Sequence, residues 1–139
     1  FYSNFADLSK SYKEAQDTIK IVKSIKNSPG VYLIDDSLLE SVGYYLPSRI
    51  NEKIIIPLIN KLKKDDGTID VELLYTVEGF IDSCMSFSRA SQKLFLHRNT
   101  IAFRLDKFKK ITGLNPISSF KDAFIIKMAA IYTKFNKLV

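Results

Sequence analysis

The run SFSRASQKLFLHRNTIAFRLDKFKKIT, residues 86–112, carries most of the structural information in this chain. It divides into two short helix-prone segments joined near Leu96, with charged and hydrogen-bonding side chains gathered on the second. That is the layout of a helix-turn-helix, in which one helix positions and the next enters the DNA major groove. Ser86 or Ser88 is placed to cap the first helix. Ala90 and Ser91 are small where two helices must cross closely, Leu94 faces the core one turn on, and Leu96 plugs the turn. His97 stands at the start of the second helix, where free backbone N–H groups attract an acceptor or a phosphate.

The second helix is expected over about residues 98–112. Projected at roughly 100° per residue, Ile101, Leu105, Phe108 and Thr112 share one face and point inward. Asn99, Phe103, Lys107 and Lys110 lie opposite, with Asp106 beside them. An exposed phenylalanine is costly unless something covers it, and thymine methyls and sugar edges in DNA would do so. Asn99 suits bidentate pairing with adenine and Arg98 with guanine, both from the first turn. Lys107 and Lys110 suit phosphates, which position without specifying. Arg104 projects to the flank of the buried face, where it has two readings: a phosphate contact, or a pair with Glu78 or Asp82. Arg89 and Lys93 flank the DNA backbone, although ordinary solvated surface fits Lys93 nearly as well. The expected DNA contacts are thus Ser88, Arg89, His97, Arg98, Asn99, Thr100, Phe103, Arg104, Lys107 and Lys110.

Composition supports a folded chain of one ordinary domain or two small ones: 139 residues, 46% hydrophobic and 26% charged. The net charge of +6 is unevenly placed. Residues 87–121 hold eight basic side chains against Asp106 alone, a local excess of +7. A generic solvated surface explains scattered lysines but not this near absence of acids, whereas a phosphate backbone does. No apolar run approaches the length of a bilayer span, and the first ten residues lack the pattern of a signal peptide. The cytoplasm, in association with the nucleoid, is the expected location. The chain begins without Met and is expected to be the tail of a longer protein.

A single cysteine, Cys84, and a single histidine, His97, leave no internal disulfide and no Cys/His zinc site. With no glycine-rich phosphate loop and no compact carboxylate pair, neither an enzyme nor a cofactor is expected. The alternative to DNA binding is a helical protein–protein interaction module that uses the same basic face.

Elsewhere, a first helix is expected from a cap at Asn4, with Leu8, Tyr12, Ala15, Ile19 and Val22 as its apolar stripe. Val31–Ile34 reads as a short β-strand with no partner in the chain. A helix capped by Ser37 should reach Tyr45, and another should run from about Ser48 to Lys63. Ile50, Ile54, Leu58 and Leu62 mark its inner face, and Pro57 should kink it. The polar segment Lys63–Gly67 is the expected boundary. Asp70 or Thr68 then starts a helix carrying Leu73, Leu74, Val77, Phe80, Ile81 and Cys84, and Gly79 within it suggests close helix packing. Ser119 and Asp122 resemble a capping box for a last helix with Phe120, Phe124, Met128, Ile131 and Phe135 buried.

The run SRASQKLFLHRNTIAFRLDKFKKITG resembles the C-terminal helix-turn-helix of the PucR/CdaR transcriptional regulators, with HRNT at 97–100, Arg104-Leu105 and the closing Gly113 as its signature. Ser91 departs from the alanine usual there, and its hydroxyl, if buried, requires a backbone acceptor. The resemblance implies a mainly α helical bundle containing the helix-turn-helix, with one short β-strand remnant near the N-terminus. It further implies residues 1–36 as the remnant of a degenerate GGDEF-like domain, 37–66 as connecting helices and 67–139 as the DNA-binding domain. The implied partners are double-stranded DNA and a second copy in a homodimer, with no membrane. A small-molecule effector would bind upstream.

Overall fold

The computed structural model describes residues 5–25, 30–33 and 35–138. These residues are mainly helical, and no sheet forms among them; the β-type pairing present is an isolated antiparallel bridge between Lys63 and Ile69. Contacts divide the chain into two compact units, Phe1–Leu46 and Pro47–Val139.

In the first unit, α1 (Phe5–Ile25) packs on α2 (Leu38–Tyr44), which follows a short 3-10 turn over Asp35–Ser37. The expected stripe on α1 is largely exposed: Leu8, Tyr12, Ala15 and Ile19 face outward, while Thr18, Ile21 and Val22 are buried. The seven-residue α2 is too short to cover a stripe that long. Asn4, the expected cap, lies outside the described residues. Ser37 stands at the N-cap of α2 but makes no side-chain capping bond. Val31, Tyr32 and Leu33 form no strand, and Ile34 lies outside the described residues. β-propensity without a second strand supplies no ladder of hydrogen bonds, so the local signal goes unused.

The second unit opens with α3 (Ser48–Ile50), a π-helical segment (Asn51–Ile55) and α4 (Ile56–Lys61), a nearly continuous rod. Pro57 lies in the first turn of α4. In a regular α-helix its ring would press on the carbonyl four residues back and leave that carbonyl without a donor. The wider π turn, in which Ile56 N–H donates to Asn51 C=O, accommodates it. The additional residue advances the helix by about 100°, so the inner face shifts. Ile55, Leu58, Ile59 and Leu62 are buried, and Ile50 and Ile54 are exposed.

Residues 63–69 form a tight turn closed by Lys64 N–H to Thr68 C=O (2.8 Å) and Asp70 N–H to Leu62 C=O (2.8 Å), with Gly67 at φ 81°. The turn leads into α5 (Val71–Asp82), capped by Asp70, whose carboxylate accepts from Leu73 N–H at 3.2 Å. Around this central helix pack α6 (Phe87–Leu94), α7 (Arg98–Thr112) and α8 (Phe120–Phe135). Leu73, Leu74, Val77 and Phe80 of α5 meet Ala90, Ile101, Phe108, Ile126 and Ile131 in a core whose members are all nearly inaccessible. Ile81 is half-buried, and Cys84 is exposed because it falls in the turn after α5, at φ 53°.

Ser119 caps α8 by accepting from Asp122 N–H (3.2 Å), but the reciprocal half of a capping box is absent. The Asp122 carboxylate instead accepts from Asn115 N–H (2.9 Å) and ties down the preceding loop, because aspartate is one methylene short of reaching back to the cap. The buried face of α8 is Ala123, Ile126, Met128, Ala129, Ala130, Ile131 and Thr133, while Phe120 and Phe124 lie outside it. Of the expected stripe, Met128 and Ile131 are buried and Phe135 is half-buried, while Phe120 and Phe124 are exposed and the small Ala123, Ala129 and Ala130, which permit close helix approach, are buried instead.

Candidate nucleic-acid interface

Helices α6 and α7 are joined by the three residues Phe95, Leu96 and His97. Ser86 caps α6, its hydroxyl accepting from Arg89 N–H at 3.4 Å, and Ser88 is exposed in the first turn. Ala90 is fully buried, and Leu94 packs so closely on α5 that a β-carbon added to Gly79 would come within 2.5 Å of its Cδ2. The Ser91 hydroxyl donates to Leu96 C=O, which supplies the acceptor this position requires and holds the turn. Phe95 adopts a left-handed conformation (φ 53°), and Leu96 is half-buried beneath the turn.

His97 is the N-cap of α7: its imidazole Nδ1 accepts from Asn99 N–H at 3.2 Å. The ring thus satisfies one of the free donors of the first turn, a task usually done by Ser, Thr, Asp or Asn. At the other end Gly113 sits at φ 80° with its N–H on Lys109 C=O (2.8 Å), and Lys61 of α4 donates to Thr112 C=O (3.3 Å). A glycine in this conformation and a cation at the carbonyl end both suit a helix C-terminus. Ile101, Leu105, Phe108 and Thr112 are buried along one side of α7, the face expected from the spacing.

On the outer side, Asn99, Phe103, Lys107 and Lys110 are exposed together, with Phe103 at 68%. Arg89 is exposed on α6 and Thr100 is half-buried. The Arg98 guanidinium lies 5.2 Å from the centroid of the Phe87 ring, a cation–π contact that presents it beside the α7 N-terminus. Lys110 pairs with Asp106 (2.7 Å) one turn back.

Two cations of α7 are engaged by α5. Arg104 donates to the Glu72 carboxylate and to Thr76 Oγ1 (2.7 Å), and Lys107 to the Asp70 carboxylate (2.9 Å). The internal partner of Arg104 is therefore neither Glu78 nor Asp82. By helical projection Glu78 lies roughly 120° and Asp82 roughly 80° around α5 from Glu72, on the side of α8. There Glu78, only 6% exposed at its side chain, accepts from Lys127 (2.8 Å) and Lys134 (2.7 Å), and Asp82 accepts from Lys127 (2.9 Å) and pairs with Lys93 (3.7 Å). Partial burial pushes the Asp70 carboxyl up, but the Lys107 ammonium and Leu73 N–H outweigh it and hold the group below the ordinary aspartate value. Lys64, Asp70, Glu72, Leu73, Phe103, Arg104 and Lys107 line an open cleft of about 300 Å³ between the two helices.

Among the described residues, no group of His, Cys, Asp and Glu is arranged to hold a metal ion, and no helix is long and apolar enough to cross a membrane. Two features escaped the reading of the sequence. Phe95, 93% exposed, is more open to solvent than Phe103. Its signal was its place beside Leu96, since a turn this short leaves room for one large side chain beneath it and sends the other outward. The acids Asp70 and Glu72 were legible only as helix-start residues.

Residues 73–131 match the PucR C-terminal helix-turn-helix domain, from the body of α5 to the middle of α8. This segment is a PucR-type helix-turn-helix. The signature HRNT and Arg104 of the PucR segment are thus, respectively, the capped entry to α7 and its anchor on α5. The chain is 27% identical over 124 residues to the proline-responsive transcriptional activator PutR of Bacillus subtilis, covering 86% of this chain and 29% of PutR. An uncharacterized protein of Haemophilus influenzae is 30% identical over 112 residues, 79% of this chain and 29% of that protein. The protein YxkF of Bacillus subtilis is 37% identical over 54 residues, 39% of this chain and 18% of YxkF. The chain thus spans under a third of the length of these relatives. No solved structure matches it.

Proposed function

We propose that this chain binds double-stranded DNA as the DNA-binding part of a transcriptional regulator, with α7 in the major groove. One observation carries the reading: the two helices around the 95–97 turn leave Asn99 and Phe103 outward, in a segment whose net charge is +7. Arg98 and Asn99 read bases, Phe103 contacts thymine methyls or sugar edges, and Ser88, Arg89, Thr100 and Lys110 hold the backbone. His97 contributes through the cap that it forms. Lys107 and Arg104 reach phosphates only by leaving Asp70 and Glu72, whereas Lys110 leaves only the solvent-exposed pair with Asp106 on its own helix, so they rank behind Lys110 as backbone contacts.

In this reading residues 67–139 are the DNA-binding domain and 37–66 its connection to a preceding GGDEF-like domain, of which 1–36 are the end. A small-molecule effector is sensed outside these residues. The protein works in the cytoplasm, on the nucleoid, as a homodimer that sets one α7 in each half-site. No catalytic step is assigned to it. PutR, a transcriptional activator, is the relative that supports regulation as the role.

The test is enrichment of duplexes from a random-sequence DNA pool, followed by binding of the enriched duplex over a salt series. Asn99→Ala should lower discrimination between the enriched site and its single-base variants, by about 1–3 kcal/mol at one position. Lys110→Ala should weaken binding to all sequences and flatten the log–log salt dependence by roughly one unit. Absence of enrichment, or identical profiles for the parent and both variants, would overturn the groove assignment.

A further inference from the structure

Phe95 is an aromatic side chain held in a costly backbone conformation for no gain in burial. It is 93% exposed, and its φ of 53° lies in the left-handed region that glycine or asparagine adopts more readily. The conformation is imposed from both sides. Phe95 and Leu96 N–H both turn back onto Ser91 C=O, and the Ser91 hydroxyl closes on Leu96 C=O. Glycine would satisfy this helix-ending turn better, as Gly113 does at the end of α7. The phenyl ring at this position therefore does nothing for the fold that glycine would not do better.

Its location suggests what it does instead. Phe95 precedes the N-cap of α7 by two residues, so it projects from the turn that delivers Arg98 and Asn99. The segment around it is cationic, with Arg89, Lys93 and Arg98 exposed within six residues on either side. An apolar protein partner would find charge at each side of the ring, whereas a nucleic acid offers phosphates to the cations and sugar or base edges to the ring.

We propose that Phe95 is a DNA-contacting residue, an apolar wedge that packs on the deoxyribose edge or a thymine methyl beside the entry point of α7. This rests on the reading of α6–α7 as a DNA-binding unit and adds a contact to it. The contact is directional: with the turn pinned by Ser91, the ring has only its own two side-chain torsions to order on binding, so little entropy is lost.

The variant Phe95→Gly separates fold from function because the two effects have opposite sign. In the full 139-residue chain it should raise the thermal midpoint by a few degrees, since glycine relieves the left-handed backbone. It should also weaken binding to the duplex enriched from the random pool about tenfold, with the salt slope unchanged because no phosphate contact is lost. Phe95→Leu should recover part of that affinity. Unchanged affinity in Phe95→Gly would overturn the proposal, as would a lower thermal midpoint, which would make the ring a packing element. A parent protein that enriches no duplex would refute the DNA reading itself, whereas a parent that binds and a Phe95→Gly variant that binds equally well would refute only this contact.

Discussion

Gly79 controls how closely α6 approaches α5, and adding one methyl group there tests the packing of the whole helix-turn-helix. A β-carbon at this position would lie 2.5 Å from Leu94 Cδ2, 3.1 Å from Cδ1 and 3.2 Å from Cγ. Carbon atoms pack at about 3.5–4.0 Å, so roughly 1 Å must be found by turning Leu94 or by separating the helices. Over-filling a packed interface costs about 1–3 kcal/mol. Against that, alanine is better than glycine inside a helix by about 1 kcal/mol. Gly79→Ala should therefore be destabilising by about 1 kcal/mol, lowering the thermal midpoint by roughly 4–8 °C for a unit of this size. Chemical denaturation of Gly79→Ala, Leu94→Ala and the double variant measures the coupling directly. With Leu94 shortened, the clash disappears and alanine at 79 should become stabilising by its full propensity of about 1 kcal/mol. If Gly79→Ala stabilises the parent protein by that same amount, the close approach of α6 to α5 is not a constraint and the packing argument fails.

Arg104→Ala should act on the fold rather than on DNA. Its Glu72 partner is 71% exposed at the side chain and contributes little, so the loss is chiefly the Thr76 bond, about 1 kcal/mol by denaturation. An unchanged stability with a salt slope lowered by roughly one would reassign Arg104 to a phosphate. Glu78→Ala should cost about 3 kcal/mol, because it leaves the nearly buried Lys127 with Asp82 alone and removes the carboxylate that pairs Lys134; a loss under about 1 kcal/mol in urea unfolding would mean that Asp82 suffices. Burial alone would lower the Lys127 ammonium, but the Glu78 and Asp82 hydrogen bonds dominate and raise it above its ordinary value. A raised lysine contributes stability below its unfolded value of 10.5 and loses it only as pH climbs through the folded value, so this network should weaken only in strong alkali. Asp70 behaves oppositely. Held below its ordinary value of 3.8, it stabilises at neutral pH and loses that contribution as pH falls from 3.8 through the lower folded value, and Asp70→Asn, which keeps an N-cap, should remove this part of the acid transition in a pH titration of stability.

Where an element's pattern was met by a neighbour of matching length, sequence and structure agree. Ile101, Leu105, Phe108 and Thr112 recur at helical spacing, and α5, α6 and α4 pack against α7 and bury all four. The cap at Asp70 and the ends of α7 at His97 and Gly113 were likewise legible, because capping depends on the nearest three or four residues. The misreadings share one cause. The α1 stripe is apolar at the right period, yet α2 is too short to cover it. Val31–Leu33 has strand propensity and no strand beside it. In α8, Met128 and Ile131 of the expected stripe are buried, but alanines are buried in place of Phe120 and Phe124 where the helix packs among its neighbours.

The amino-acid order by itself determined the helix-turn-helix: its two helices, its turn, the inner face of α7 and the concentration of positive charge around them. All of that follows from periodicity and caps, which are properties of neighbouring residues. Only the tertiary structure decided which cations of α7 are available. Arg104 and Lys107 are held by Glu72 and Asp70, 32 and 37 residues away in sequence, because α5 brings its first-turn acids against α7. It also decided that Phe95 lies outside the turn that Leu96 plugs, with the Ser91 hydroxyl closing on Leu96 C=O and Phe95 in a left-handed backbone conformation.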